Sequence, residues 1–424
     1  MSYLDQQFDA LLKYWPDENR NIRSLRSDSF DQFNTLGFPT KRWEEWQFTD
    51  FSKFIKKQYR LSWSEDLPSI PKLIPGLIPD LNFILIINGH HQSQFSALPD
   101  GVRVSTHLED FNAYQNIYTS GSNQNPFQVL NTAMMNSGVP IHIEPNQIIE
   151  NPIQIIYLMT DLSEPLMNHP RFHYHIGENS QATIVEHYIG LSDQPYFVNS
   201  VSHATIGKNA SFNHVRIQEE TESASHIAST NYKLERDARL NATHFSLGGE
   251  LFRHDIQITF NGNGGDATLN GLCLTENHQH HDQHITVDHQ HDSCNSRQLF
   301  KYILGDKSSG VFNGKVIVRE NTKQTDADQS NKNLLLSPVA LMNANPQLEI
   351  YSEDVKCAHG STTGQIDSEA LFYMRSRGLT QQKATELIIG GFAEEIMKSI
   401  SNENISDYIN DKINQWLSSS NSDE

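Results

Sequence analysis

Cysteine is scarce in this sequence of 424 residues. The three cysteines, Cys273, Cys294 and Cys357, lie far apart and show no CxxC spacing. This usage excludes a disulfide framework and a zinc finger as the basis of the fold. Reduced thiols of a cytosolic protein are the simplest interpretation.

Long apolar runs and an excess of basic residues are also missing. The longest strongly apolar run, residues 83–87, is far shorter than the roughly 20 residues of a membrane helix. The start MSYLDQQF lacks the basic and apolar regions of a signal peptide. The net charge of −19 argues against binding to nucleic acids or anionic membranes, which require clustered Lys and Arg. We therefore predict a soluble, cytoplasmic protein with no nucleic-acid or membrane partner.

The sequence contains no signature of nucleotide or acyl chemistry. No GxxxxGK[ST] segment occurs, and the glycine-rich residues 262–270 include no lysine to reach a phosphate. A GxSxG segment, which would present a nucleophilic serine, does not occur either. We therefore predict that the chain has no ATP site of its own and no nucleophilic serine of this kind.

What the chain does have is a repeated scheme of one polar, one small, one variable and one large apolar residue. The scheme occurs at residues 181–184, 209–212, 237–240, 266–269 and 309–312. Its small residues Ala182, Ala210, Ala238 and Ala267 are spaced by 28, 28 and 29 residues, whereas the step of 43 to Gly310 requires an insertion or an extra strand. Near-constant spacing predicts a β-solenoid of stacked coils. A plain β-sandwich is the alternative, with the spacing as a coincidence.

The residue pattern divides the chain into three predicted regions. Residues 1–80 form a helical region that ends in a proline-rich linker at residues 68–79. Residues 81–365 carry the strand-like runs of the core, and residues 366–424 form a helical bundle with a polar tail. In the first region, Trp43 and Trp46 can form either a binding surface or part of a core, and the neighbouring Phe48 and Phe51 favour the core.

Six histidines between residues 278 and 291 are the most conspicuous potential metal ligands. Strand alternation places them on two faces, with His278, His280 and His284 on one and His281, His289 and His291 on the other. Two opposite faces do not converge on one ion, which favours a scaffold role. A stand-alone histidine-rich metal-binding protein is the alternative function.

Residues 345–379 combine a strand with a helix. The strand includes Cys357 and His359, which point to one face of an extended chain, and Gly360 is predicted to end it. Asp367 is the expected N-cap of a helix that Gly378 closes. A thiol and an imidazole beside a hinged helix indicate a metal or sulfur site coupled to a docking element.

This stretch resembles the SufD members of the SufB/SufD family, which belong to the SUF machinery of iron–sulfur cluster assembly. The family pattern PQLEIY–DDVK–C–HG–T–GQ–D–ALFYLRSRG is matched at residues 346–351, 354–357, 359–360, 363–365, 367 and 370–378. Residues 37–54 resemble a further family segment. A third family segment is matched at Lys315, Arg319, Thr325, Gln329, Asn331 and residues 334–336, which are expected to shape the last coils. SufB carries Glu-His-Glu where this chain has residues 355–357, which argues against a SufB-type homodimeric scaffold.

The resemblance implies a mainly β protein with a right-handed parallel β-helix core, flanked by an N-terminal helical region and a C-terminal helical bundle. It implies a scaffold subunit that pairs with SufB and with two copies of the ABC-type ATPase SufC, and that can form a homodimer in isolation. The family histidine at the position of His359 faces a SufB cysteine where the cluster forms, and Cys357 matches the adjacent family cysteine. Because a cluster takes about four ligands, three distant cysteines imply a transient cluster shared with SufB. The SufC-docking region is expected to include Asp367, Ala370, Leu371, Phe372, Tyr373, Arg375, Arg377 and Gly378.

A polysaccharide-cleaving β-solenoid is the rival from another class. Such an enzyme needs converging carboxylates on one face of the solenoid. The acidic residues of this chain are scattered and show no such set.

Overall fold

The structure is a computed structural model that describes residues 3–63, 73–96, 98–105, 125–160 and 162–419. The predicted linker at residues 68–79 and the predicted polar tail fall partly outside these ranges. In the described ranges, strands alternate between two sheets, and helices lie at both ends of the chain.

The strands are β1 Arg60–Leu61, β2 Asn82–Ile87, β3 His90–His91, β4 Val102–Val104, β5 Pro140–Ile143, β6 Ile153–Met159, β7 Leu166–Asn168, β8 Arg171–Ile176, β9 Gln181–Gly190, β10 Tyr196–Ile206, β11 Ser211–Glu220, β12 Ala224–Leu234, β13 Arg239–Gly248, β14 Leu251–Phe260, β15 Asp266–Thr275, β16 His280–His289, β17 Asn295–Leu304, β18 Ser309–Val318, β19 Thr325–Leu335, β20 Leu341–Ile350 and β21 Val355–Gln365. The helices are α1 Tyr3–Tyr14, α2 Arg20–Leu36, α3 Ser52–Ile55, α4 Pro126–Met134, α5 Ser368–Ser376, α6 Gln381–Met397 and α7 Glu403–Ser419.

From β8 onward each strand pairs in parallel with the strand two places later in the chain, which confirms the predicted β-solenoid. Sheet 1 runs in the order β20-β18-β16-β14-β12-β10-β8-β5-β4, and sheet 2 runs β21-β19-β17-β15-β13-β11-β9-β6-β2-β3. Each coil therefore contributes one strand to each sheet, and the side chains that point inward fill the space between the two sheets.

The sequence repeat is real, but its register differs from the predicted one. Ala182 pairs with Phe212, and Ala267 pairs with Leu240, so two of the four alanines are offset by two residues. A shift of two residues keeps a side chain on the same face of a strand, which explains why the pattern survives the offset. Gly310 pairs with His281 in sheet 1, so the long step reflects a change of sheet rather than an insertion.

Asparagine side chains form a ladder along one corner of the solenoid. Asn146, Asn179 and Asn209 have positive φ angles of 62°, 58° and 54°, a conformation that asparagine tolerates better than most residues. The Asn209 Nδ2 donates to Asn179 Oδ1 and the Asn179 Nδ2 donates to Asn146 Oδ1, each at 3.0 Å. The Asn179 amide thus donates to the preceding coil and accepts from the following one.

The solenoid interior contains a buried polar cluster as well as apolar side chains. The Glu186 carboxylate accepts hydrogen bonds from Tyr188 at 2.5 Å and Ser202 at 2.9 Å, and it lies 3.1 Å from His214 Nε2. The guanidinium of Arg216 lies 4.4 Å from the centre of the Tyr188 ring. Burial by itself raises the pKa of Glu186, but His214 and Arg216 outweigh it and hold that pKa at about 2.

The helical regions cover the two outer faces of the solenoid. The N-terminal helices pack on sheet 1, where Phe197 and Ile227 share a core cluster with Phe30 and Trp46. The C-terminal helices pack on sheet 2. Trp46 is 3% exposed and its ring lies 3.7 Å from the guanidinium carbon of Arg253, which confirms the core interpretation for this tryptophan.

The histidine run is divided between the two sides of β16, as strand alternation predicts. His281 and His289 are buried, whereas His280 and His284 are partly exposed and lie on the other side of the strand. His284 Nε2 lies 3.0 Å from Asp282, and His280 shares Thr49 of the N-terminal region with Asp282. These side chains therefore help to fix the N-terminal region on sheet 1.

The two ends of the solenoid are finished differently. At the N-terminal end, β3 and β4 pair antiparallel with β2 and β5. At the C-terminal end, β20 and β21 are the last strands of their sheets, and within the described ranges no further strand pairs with them. One end is therefore capped and the other leaves two strand edges open.

Candidate metal and partner-binding site

The open end is formed largely by β21, which is longer than the sequence suggested. Gly360 does not end this strand, because it pairs with Ser330 and the pairing continues to Gln365. A Cβ added at Gly360 would meet no atom within 4 Å. Glycine is therefore tolerated here in the middle of an exposed edge strand and is not a terminator.

Cys357 and His359 lie on the inward side of β21, as their spacing predicts. Cys357 pairs with Ala327 and packs at the end of the main core cluster, while His359 pairs with Gln329. Cys357 is half-buried and His359 is exposed. The imidazole is consequently accessible to solvent at the open edge. It lies near the Cys357 thiol, which packs at the end of the hydrophobic core.

The Cys357 thiol is held in its neutral form. Burial raises its pKa, and a hydrogen bond with the backbone of Ala327 opposes this only in part. Because the thiolate is the metal-binding form, a metal can recruit this sulfur only by displacing its proton. His359 needs no such step when its imidazole is neutral.

Next to these two residues, polar side chains of β19 and β21 form a hydrogen-bonded layer. Ser361 donates to Asn331 Oδ1 at 2.9 Å, and the Asn333 Nδ2 donates to Asn331 Oδ1 at 2.7 Å and to Thr363 Oγ1 at 3.0 Å. The sequence interpretation assigned Asn331 only to the shape of the last coils. The sequence signal that identifies this polar layer is the alternation of polar residues along β19, since alternate residues of a strand face the same side.

The neighbouring edge, β20, carries exposed apolar side chains. Leu341 is 64% exposed and Ile350 is 41% exposed, and Tyr351 after the strand is 57% exposed. Pro346 lies within this strand, and proline, which has no N–H, is found in sheets mainly on such edge strands. The open end therefore combines unpaired backbone, apolar side chains and an imidazole.

Helix α5 follows β21 directly, and none of its residues is buried. Asp367 caps it, since its Oδ1 accepts the Glu369 N–H at 2.9 Å, and Gly378 has a φ of +96° just beyond it. Both capping predictions are confirmed. Phe372 is 74% exposed and Tyr373 is 58% exposed.

The other predicted docking residues lie on or next to α5 with different exposures. Ala370 and Leu371 are half-buried, and Arg375 and Arg377 are exposed. The guanidinium of Arg377 lies 5.1 Å from the centre of the Tyr373 ring. The helix thus presents a mixed aromatic and basic surface.

Helix α6 packs on sheet 2 through one of several possible apolar stripes. Ala384, Ile389, Ala393 and Ile396 are buried, whereas Leu387 is 47% exposed. Because apolar residues surround much of this helix, the sequence defined more than one possible stripe. The exposed Leu387 therefore belongs to the uncovered surface.

The histidine run does not form a metal centre in the described ranges, where no group of three or more His, Cys, Asp or Glu side chains is arranged to hold an ion. His281 Nε2 donates to the Gly248 carbonyl at 2.8 Å, and His289 Nε2 lies 2.9 Å from Ser296 Oγ. His281 and His289 thus connect β16 of sheet 1 to strands of sheet 2. In the same ranges, no helix has both the length and the apolar character needed to cross a membrane.

Comparison with known proteins identifies the family of this chain. The SufBD core domain of SUF-system iron–sulfur cluster assembly matches residues 157–392, and the SufBD N-terminal region matches residues 6–155. The chain is 30% identical over 388 residues to the iron–sulfur cluster assembly protein SufD of Escherichia coli, covering 91% of each chain. It is 32% identical over 403 residues to an iron–sulfur cluster assembly SufBD family protein of Synechocystis, covering 90% of this chain and 88% of that one. The chain belongs to the SufB/SufD family of iron–sulfur cluster assembly proteins and is similar to SufD.

Proposed function

We propose that this chain is a non-catalytic scaffold subunit whose open solenoid end mates with a SufB-type solenoid. The observation that carries the proposal is the accessible imidazole of His359 between two unpaired strand edges. A second solenoid that adds its own strands would satisfy the free backbone groups and cover the exposed apolar side chains of β20. The imidazole would then lie at a joint between two subunits.

His359 is the proposed metal ligand from this chain, and iron is the cargo that it receives. A neutral imidazole is a competent iron ligand, and thiolates from the partner would complete the set. Cys357 is the proposed auxiliary ligand, which joins only after losing its proton. The cluster is thus transient and shared between the subunits.

The C-terminal helices are the proposed docking region for a SufC-type ATPase. The α6 helix is tied to the solenoid through Lys301, whose Nζ donates to the Phe392 carbonyl at 2.7 Å and lies 2.7 Å from Glu395. A force applied to this helix would therefore reach the sheet that ends in His359. ATP hydrolysis belongs to that partner, and the assembled complex is expected in the cytoplasm.

The deciding experiment replaces His359 in the complex reconstituted with its SufB-type and SufC-type partners. We expect His359→Ala to lower the yield of transferable cluster at least about tenfold, since losing even a partner behind a metal ligand costs about that much, without changing complex formation. His278→Ala, which removes another exposed histidine, is the matched control. A normal yield of cluster with His359→Ala would remove the site assignment.

A further inference from the structure

Gln329 is a buried side chain directly behind the proposed metal ligand. It pairs with His359 across β19 and β21 and is 1% exposed. Its Nε2 donates to Gln298 Oε1 in the preceding coil at 3.2 Å. Its Oε1 is buried and accepts no hydrogen bond. A buried acceptor without a partner costs free energy. Several atoms of the solenoid interior share this property, and Gln329 Oε1 differs from most of them in lying at the open edge, directly behind His359.

The direction of this acceptor follows from the geometry of stacked amides. The two polar atoms of a planar amide point to opposite sides, so an Nε2 that reaches back to Gln298 leaves Oε1 facing the next coil. The corner ladder has the same polarity, since Asn209 donates to Asn179, which donates to Asn146. In the row of Gln298 and Gln329, the next coil contributes His359.

We propose that Gln329 Oε1 accepts a ring N–H of His359 and thereby presents the other ring nitrogen to iron. A neutral imidazole has one N–H and one lone pair, so fixing the N–H toward Gln329 fixes the lone pair on the opposite side of the ring. The exposed imidazole reaches this position by turning its ring toward the solenoid interior. Gln329 is thus a positioning residue, and its role in iron binding rests on the proposed function of His359.

The surroundings of Gln329 are shaped to hold this amide. Gly314 lies across the solenoid interior, and a Cβ built there would meet the Gln329 Nε2 at 2.1 Å. The Gln329 amide therefore occupies the space that a side chain at position 314 would fill. A Gly314→Ala change would displace Gln329 without altering its chemistry.

The first test reads the tautomer of His359 directly and requires no metal. Protein carrying ¹⁵N-labelled histidine is compared by NMR with His359→Ala, which identifies the resonances of this ring. We expect one dominant tautomer in the unchanged protein, a mixture in Gln329→Leu and a restored preference in Gln329→Glu, which keeps an acceptor. Identical ring shifts in the unchanged protein and a folded Gln329→Leu would overturn the proposal.

The matched control is Gln218→Leu, which removes a buried glutamine of β11 several coils away from β21, so the tautomer preference should persist. If Gln329→Leu does not fold, Gly314→Ala provides the same comparison through a displaced amide. Loss of the tautomer preference in Gln218→Leu and Gln329→Leu alike would contradict a specific role for Gln329.

The second test measures iron binding in the reconstituted complex. We expect Gln329→Leu to weaken iron binding roughly 10- to 100-fold, the usual effect of losing a partner behind a metal ligand, and Gln329→Glu to recover most of it. If Gln329→Leu binds iron normally whereas His359→Ala does not bind it, only the positioning role of Gln329 is refuted. Unchanged iron binding in His359→Ala would instead refute the proposed function, and the tautomer measurement would still decide the hydrogen bond.

Discussion

At the scale of single residues, two buried histidines of the solenoid, His281 and His289, are uncharged at neutral pH. Burial lowers the pKa of His281 and of His289 to about 4 in each case. Both side chains keep one hydrogen bond, to the Gly248 carbonyl and to Ser296 respectively. The interior therefore tolerates imidazole but disfavours imidazolium, which makes the stability of the protein depend on pH.

The direction of this dependence follows from proton binding. An unfolded histidine binds its proton near pH 6.5, whereas these folded histidines bind theirs only near pH 4. The unfolded chain therefore takes up protons first as the pH falls below 6.5, and acid favours unfolding. Each of the two groups should cost about 2 kcal/mol of unfolding free energy between pH 6.5 and pH 5.

Urea denaturation at a series of pH values checks this expectation. The His281→Gln variant should lose less stability than the unchanged protein as the pH falls from 6.5 to 5, by about 2 kcal/mol. The difference between the two proteins at pH 8 gives the effect of the substitution itself and acts as the internal control. Parallel pH profiles for the two proteins would show that His281 is not kept neutral by burial.

At the scale of single elements, one glutamate of the solenoid joins the C-terminal helix α7 through several polar contacts, in addition to the apolar packing of that helix on sheet 2. Glu219 Oε1 lies 2.7 Å from His187 Nε2, its Oε2 lies 2.7 Å from Lys412 Nζ, and Tyr408 donates to the same carboxylate. Burial by itself raises the pKa of Glu219, but His187 and Lys412 outweigh it and the pKa lies below its usual value. The carboxylate is therefore ionised where it joins α7 to sheet 2.

We expect Glu219→Gln to destabilise the docking of α7 by about 2 kcal/mol, because it weakens several hydrogen bonds to a charged group at once. Hydrogen exchange of residues 403–419 and urea denaturation measure this effect. Glu394→Gln is the matched control, since the Glu394–Lys398 pair at 2.8 Å is exposed on both sides and should contribute below ~0.5 kcal/mol. Equal effects of the two substitutions would argue against the role of Glu219.

Helix α5 provides the opposite case, an element that contributes little to the stability of the isolated chain. Replacing Phe372 and Tyr373 by alanine should change the free energy of unfolding by less than about 0.5 kcal/mol, because both side chains are mostly exposed. The same change should weaken binding of a SufC-type ATPase about tenfold if these aromatics anchor the interface. Calorimetric titration of the ATPase measures the affinity, with Leu73→Ala as the control at another exposed apolar side chain. Unaltered affinity would remove these two residues from the docking surface.

Local sequence patterns predicted which segments form helices and strands, but not the exact residues at which these elements end. The capping residue Asp367 identified the start of α5, because its side chain accepts a hydrogen bond from one of the first N–H groups of that helix. Gly360 was misjudged because a glycine at an open edge and a glycine at a strand end look the same in sequence. The role of Gln329 was out of reach, because it depends on the register between strands about 30 residues apart, which periodicity fixes only to within two residues.

At the scale of the whole molecule, the solenoid has a direction. Its N-terminal end is capped by antiparallel strands, and its C-terminal end is open. A molecule with one adhesive end forms pairs rather than filaments, because pairing by a two-fold axis uses both open ends. In the absence of a SufB-type partner, we therefore expect the isolated chain to form a two-fold homodimer through β21.

Gly360 offers a test of this dimer, because it is the central residue of β21 and has free space around it. If two copies of β21 pair antiparallel about their centres, Gly360→Asp and Gly360→Arg each place like charges opposite one another. Each variant alone should dimerise roughly fivefold more weakly, corresponding to ~1 kcal/mol, and an equimolar mixture should recover or exceed the affinity of the unchanged chain. Analytical ultracentrifugation measures the three affinities, and thermal denaturation confirms that each variant is folded. A mixture that associates no better than its components would place the contact between copies away from this strand, and with it the predicted joint to the SufB-type partner.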